Sequence, residues 1–189
     1  SDYWADPGKQ YKPMAWRNLS FTDLKKALFD YTKKVIQELK DQGTTPEMVQ
    51  VGNEINHGMV WPEGNVSNVD SMSQLIAAGI AAVKAVDPAI IIMVHVALGG
   101  QNDETVFFYD QMMKRKIHFD VIGLSYYPKW HGTLDDLRDN MNDLLRRYDK
   151  DIIVVEYSAK KQEVNKLAFE LPRGKGKGTC IWEPLSTWE

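Results

Sequence analysis

The 189-residue chain is 43% hydrophobic, enough for one globular domain with a real core, and is neither disordered nor collagenous in composition. With 23 basic against 26 acidic residues and a net charge of -3, there is no global electrostatic case for nucleic acid or an anionic membrane, so a neutral partner is expected. The single Cys180 excludes an intrachain disulfide, and no apolar run reaches the roughly 18 residues that span a bilayer.

Residues 1–20 hold Pro7, Gly8 and Pro13 among Trp4, Tyr11 and Trp16, which predicts an ordered loop. From Thr22 to Gln42, Leu24, Leu28, Tyr31, Val35 and Leu39 recur at helical spacing, with Ser20 or Thr22 as N-cap and Gly43 as stop. A long amphipathic helix is expected there. The run from Met48 to Val51 is short and β-rich, and it ends in Gly52-Asn53-Glu54: a strand delivering an amide and a carboxylate to its C-terminal end. A loop with Gly58, Trp61, Pro62 and Gly64 leads to a helix capped by Asp70 and ended by Asp87-Pro88, with Leu75, Ile76, Ile80 and Val83 inward. Strand Ala89 to Val96, helix Asp103 to Lys116 and strand Phe119 to Tyr126 follow.

Thr133 and Asp136 then form a capping-box pattern before a helix with inner face Leu137, Met141, Leu144, Leu145 and Tyr148. The strand Asp151 to Tyr157 runs through four β-branched residues to another carboxylate, Glu156. A weaker helix, Gln162 to Glu170, precedes the Gly- and Lys-rich run 173–178, read as a surface loop because it leads to a strand and lacks the Gly-Lys-Ser/Thr ending of a phosphate loop. The last strand is Thr179 to Glu183, and Cys180 within it is expected to be a buried, inert thiol.

One helix between each pair of strands spaced 30 to 40 residues apart implies parallel crossovers. Two α/β architectures use this pattern, the (β/α)8 TIM barrel and the doubly wound sheet. The barrel is favoured: no Gly-rich turn follows a strand, and polar residues end four of the five strands at Asn53-Glu54, Ser125-Tyr126, Glu156 and Trp182-Glu183.

Glycosidic bond cleavage needs an acid to protonate the leaving oxygen and a second carboxylate on the other side of the bond. In a closed barrel Glu54 and Glu156 would converge across the mouth, and a pair about 5 to 5.5 Å apart would predict retention through a covalent intermediate. The bland alternative for either Glu is a solvated strand end. His57, His95, His118 and His131 lack metal-ligand spacing, so no metal or cofactor is expected, and no Gly-x-Ser-x-Gly turn marks a serine hydrolase.

The blocks 1–10, Val49 to Ile55, Phe119 to Thr133, Val154-Val155-Glu156 and Trp182-Glu183-Pro184 resemble glycoside hydrolase family 53, the arabinogalactan endo-β-1,4-galactanases of the clan of retaining (β/α)8 glycosidases. The resemblance implies Glu54 as acid/base, Glu156 as nucleophile and Asn53 as the contact to the sugar 2-hydroxyl. It implies Tyr126 as the tyrosine that hydrogen-bonds the nucleophile, Trp182 as a sugar platform, and Trp4, Trp61 and Trp130 as subsite walls. The partner it implies is β-1,4-galactan, met by a secreted or cell-surface protein, with no nucleic acid or membrane. Another specificity of the clan, such as mannan or xylan, and an inactive carbohydrate-binding fragment are the alternatives.

Against the family pattern, residues 1–189 read as a single partial catalytic domain carrying about strands four to eight and the end of strand three. The earlier strands, and a His expected just before Ser1, are missing. The connection after Glu156, which reads Tyr157-Ser158, is too short for the calcium site of some bacterial members. Little or no activity is expected from the segment alone.

Overall fold

The computed structural model of the protein describes residues 6–184. Five strands, β1 (Met48–Gln50), β2 (Ile91–Val96), β3 (Val121–Tyr126), β4 (Asp151–Tyr157) and β5 (Gly176–Ile181), form one sheet. Every neighbouring pair is parallel, and spatial order equals chain order. Helix α1 (Phe21–Asp41) precedes β1, and α2 (Val69–Val86), α3 (Asn102–Lys114), α4 (Leu134–Tyr148) and α5 (Lys161–Phe169) bridge consecutive strands. Right-handed crossovers that always step the same way put every helix on one face and curl the other inward. A doubly wound sheet reverses its order at a switch point; this one does not. The architecture is a half-barrel, five consecutive units of a (β/α)8 fold.

The local signals act as the residue types dictate. Ser20 caps α1 by accepting the Asp23 N–H at 3.2 Å. The capping box is formed: Thr133 Oγ1 accepts the Asp136 N–H at 3.1 Å, and Asp136 accepts the Thr133 N–H at 2.7 Å. Helix α2 differs, because Asn68 rather than Asp70 takes the cap position and Asp70 pairs with Arg115 at 2.7 Å. By length and composition the stretch Val66–Val86 could cross a membrane, contrary to the expectation that no run is long enough. Here its Leu75, Ile76, Ile80 and Val83 are buried in the core, which accounts for its apolarity.

Two further expectations fail where tertiary contacts decide burial. On α1 the buried stripe is Leu24, Leu28 and Ile36, while Tyr31 and Val35 are exposed. This helix packs mainly on α2, and Tyr31 on its other flank meets the Trp16 ring of the N-terminal loop edge to face at 6.1 Å. The Gly-rich run is not simply a surface loop: β5 begins inside it, at Gly176. A Cβ at Gly176 would lie 1.7 Å from the Ala168 carbonyl oxygen, so only glycine lets the strand pass under the end of α5.

Cys180 is exposed, not buried. Thr179 hydrogen-bonds Asn165 of α5 and Ile181 packs on the core, so the intervening Cys180 points to the concave face, on a strand that among the described residues pairs with β4 alone.

Candidate active site

Two residues beyond β1, Gly52 has a φ of 80° that lets the chain turn sharply. Glu54 follows in the left-handed region at φ 49°, a conformation that costs a non-glycine residue energy and persists only when its surroundings hold it. Its carboxyl is buried, the residue being 8% exposed. The backbone N–H of Glu54 points to His95 Nδ1 at 3.4 Å, and the other ring nitrogen of His95 lies 2.8 Å from Ser125 Oγ. The neighbouring Asn53 is held through its main-chain oxygen by Gln10 at 2.8 Å and through its side chain by Gln50 at 3.0 Å.

Glu156 reaches the same place because of a bulge. Leu124 pairs with Val154, yet the next residue, Ser125, pairs with Glu156, so β4 carries one extra residue, Val155. Paired residues of parallel strands share a face. Without the bulge Val155 would share the concave face with Ser125, and Glu156 would point at the helices; with it, Glu156 turns inward. One oxygen of Glu54, one of Glu156 and one ring nitrogen of His95 all lie within 4.8 Å of one another. Three such donors could suggest a cation, but both nitrogens of His95 already make hydrogen bonds, to Ser125 Oγ at 2.8 Å and to the Glu54 N–H.

The two carboxyls are electrostatically unequal. Burial pushes Glu54 up to about 7, reinforced by the charges of Glu156 and Asp6 and opposed by the Ser125 hydrogen bond. Burial also raises Glu156, but Tyr127 donates to its Oε1 at 2.9 Å and draws it back down. Near neutrality the pair can hold one proton, and Glu54 is the better place for it. Burial pushes His95 down to about 3, helped by nearby His131, so its ring is neutral.

The tyrosine beside Glu156 is not the expected one. Tyr126 pairs with Tyr157 on the helix-facing side of the sheet, is buried, and donates its hydroxyl to Gly132 O at 3.2 Å. Strand alternation therefore keeps it from Glu156, and Tyr127, one residue later, makes the contact. Tyr127 is fixed by His131, whose Nδ1 accepts its N–H at 3.1 Å, and by the Trp130 ring at 6.1 Å edge to face.

Among the other expected residues, Trp130 is 55% exposed beside Tyr127, and Trp182, 47% exposed, follows β5 next to the strand of Glu156. Trp61 is not brought to the carboxyls: its indole N–H donates to His57 O at 3.0 Å and its ring meets Tyr11 edge to face. Trp4 lies outside the described residues. A cleft of about 470 Å³ beside Asn53, between the N-terminal loop and α1, is lined by Tyr11, Trp16 and Tyr31 and does not include the carboxyl pair. His95, Ser125 and Tyr127 were missed as site residues, although the signal for the first was in plain view: a lone polar residue in Ile-Ile-Met-Val-His-Val.

Comparison with known proteins accords with this geometry. An endo-beta-1,4-galactanase of Bacillus subtilis (strain 168) is 38% identical over 162 residues, covering 84% of this chain and 36% of the relative. A Niallia circulans protein, described as an uncharacterized protein in the bgaB 5' region, is 51% identical over 164 residues, 82% of this chain and 45% of the relative. The chain thus spans less than half the length of these two relatives. The solved GH53 catalytic domain of Ignisphaera aggregans superposes with a TM-score of 0.90 at 35% identity, over 96% of this chain and 60% of that one. The sequence model of glycosyl hydrolase family 53 matches residues 1–185, and the chain belongs to that family.

Proposed function

We propose that residues 1–189 carry, as one partial catalytic unit, the cleavage site of an endo-acting β-1,4-galactanase that works with retention. The observation that supports this most is the carboxylate pair, with oxygens of Glu54 and Glu156 within 4.8 Å, close to the roughly 5 to 5.5 Å typical of double displacement. Glu156 attacks the anomeric carbon while Glu54 gives its proton to the departing glycosidic oxygen. A glycosyl ester on Glu156 results. Glu54, now ionised, takes a proton from water as that water attacks the same carbon and frees Glu156. The unequal proton affinities of the two carboxyls match these roles.

Asn53 holds the 2-hydroxyl, Tyr127 steadies Glu156, and Trp182 and Trp130 offer ring faces to the sugar. Trp61 and Trp4 remain candidates for more distant subsites. A neutral galactan suits the balanced surface charge, and a polysaccharide substrate implies a secreted or cell-surface protein. Turnover by this half-barrel alone is expected to be slow, because its concave face is walled on one side only among the described residues. The test is to titrate β-1,4-galacto-oligosaccharides into the chain while following the side-chain carboxyl 13C signals. Both Glu54 and Glu156 should shift with galactan oligomers and not with mannan or xylan oligomers. Any turnover should give β products first and vanish in Glu156→Gln. If neither carboxyl responds to galactan, the reading is wrong.

A further inference from the structure

The N-terminal loop reaches the carboxylate end of β1 through one side chain. Gln10, 4% exposed, donates from Nε2 to the main-chain oxygen of Asn53 at 2.8 Å. A carbonyl oxygen only accepts, so the amide nitrogen of Gln10, and not its oxygen, faces it. The loop carrying Gln10 is itself tied to the segment after β1. Trp61 N–H donates to Gln10 O at 2.6 Å, Lys12 N–H donates to Trp61 O at 3.2 Å, and Lys12 Nζ meets Glu63 Oε1 at 2.6 Å. Residues of an extended segment alternate sides, so Gln10 and Lys12 point one way and Tyr11, bridged to Trp61, points the other, into the aromatic cleft. Trp61 thereby fixes the residue that grips Asn53.

The oxygen that Gln10 holds belongs to a peptide that matters. The Asn53 carbonyl and the Glu54 nitrogen lie in one rigid plane, and opposite rotations of Asn53 ψ and Glu54 φ turn that plane over with little movement of the flanking chain. Glu54 sits at φ 49°, a left-handed conformation that a residue with a side chain leaves unless its neighbours hold it. Turning the plane over would carry Glu54 to a negative φ, take the Asn53 oxygen away from Gln10 and swing the Glu54 side chain off its buried position. A grip on the carbonyl end of the plane blocks that turn. A lysine or arginine could hold the same oxygen, but its charge would favour ionised Glu54; an amide holds it without charge.

We propose that Gln10 is a positioning residue for Glu54: by holding the Asn53 carbonyl it locks the peptide between Asn53 and Glu54 in the orientation that sets the Glu54 carboxyl beside Glu156. The role rests on the reading of Glu54 as the proton donor. A general acid that becomes a base within one cycle must keep its place in both protonation states. Gln10 neither gains nor loses a proton and bonds the backbone rather than the carboxyl, so its grip is the same in both.

The first readout is the Glu54 backbone, whose three-bond HN–Hα and HN–Cβ couplings separate positive from negative φ. The second is the Glu54 carboxyl 13C titration, with a midpoint near 7 in the unaltered chain. Gln10→Met keeps the length of the side chain and loses the donor. It should move Glu54 to a negative φ and lower the midpoint by about one pH unit or more, because the carboxyl leaves its buried position. Glu156 on β4, Asp6 in the N-terminal loop and neutral His95 on β2 face Glu54 in both proteins, so they do not account for such a fall. If Gln10 only stabilises the loop, Gln10→Met lowers resistance to urea and leaves both readouts unmoved, which would overturn the proposal. Should Gln10→Met not fold, Gln10→Glu decides: its protonated carboxyl can donate to Asn53 O, and its ionised form cannot. The positive φ of Glu54 should then persist in acid and be lost as the new carboxyl ionises; a positive φ that survives this ionisation refutes the role equally. None of these measurements needs substrate, so a failure of galactan to bind would sink the cleavage reading while leaving this result standing.

Discussion

Replacing Glu54 with Gln should make the protein more stable at alkaline pH and leave it nearly unchanged in acid. The carboxyl titrates near 7 in the folded chain against an ordinary 4.5. A group that binds its proton more tightly when folded favours folding at low pH and loses that advantage as pH rises from 4.5 towards 7. At about 1.36 kcal/mol per pH unit, the shift amounts to roughly 3 kcal/mol of stability lost by pH 8. Gln has nearly the same shape and cannot ionise, so it removes the penalty of charging a buried carboxyl. Urea unfolding of both proteins from pH 4 to 8 gives the difference directly, and other titrating groups cancel in it. The gap should open with a midpoint between the two pKa values and level off above 7. A gap that stays constant across this range would refute the argument that burial holds Glu54 in its acid form.

Tyr127→Phe removes a donor from ionised Glu156, a contact of about 1.5 to 3 kcal/mol, so Glu156 should titrate roughly one to two units higher. An unchanged carboxyl 13C midpoint would show that the contact is not made. Gly176→Ala drives a methyl into the Ala168 carbonyl and should cost about 1 to 3 kcal/mol in urea unfolding, in contrast to a surface substitution. Exposed Cys180 should react with a maleimide in the native protein at nearly the rate of the unfolded chain; strong protection would contradict the orientation of β5.

The chemistry of the site was partly legible from local pattern. Asn53-Glu54 and Glu156 ended β-rich runs, and their convergence required only that the strands be parallel and consecutive, which the helix-strand period implied. Tyr126 illustrates the limit. Two adjacent tyrosines look alike in a sequence, but one-residue alternation sends Tyr126 to Gly132 and leaves Glu156 to Tyr127. Trp61 shows the same limit in a loop, where its partner Tyr11 is fifty residues away in the chain.

Residue type alone determined the elements, the capping box at Thr133 and Asp136, the parallel order and the two carboxylates, because these follow from contacts a few residues apart and from side-chain period. Tertiary structure decided which way those carboxylates face. The extra residue at Val155 turns Glu156 inward, and His95 on the adjacent strand β2 meets the Glu54 backbone N–H at 3.4 Å. Both depend on register between strands roughly 30 to 40 residues apart, and register is set by the packing of the whole sheet, which no local stretch encodes.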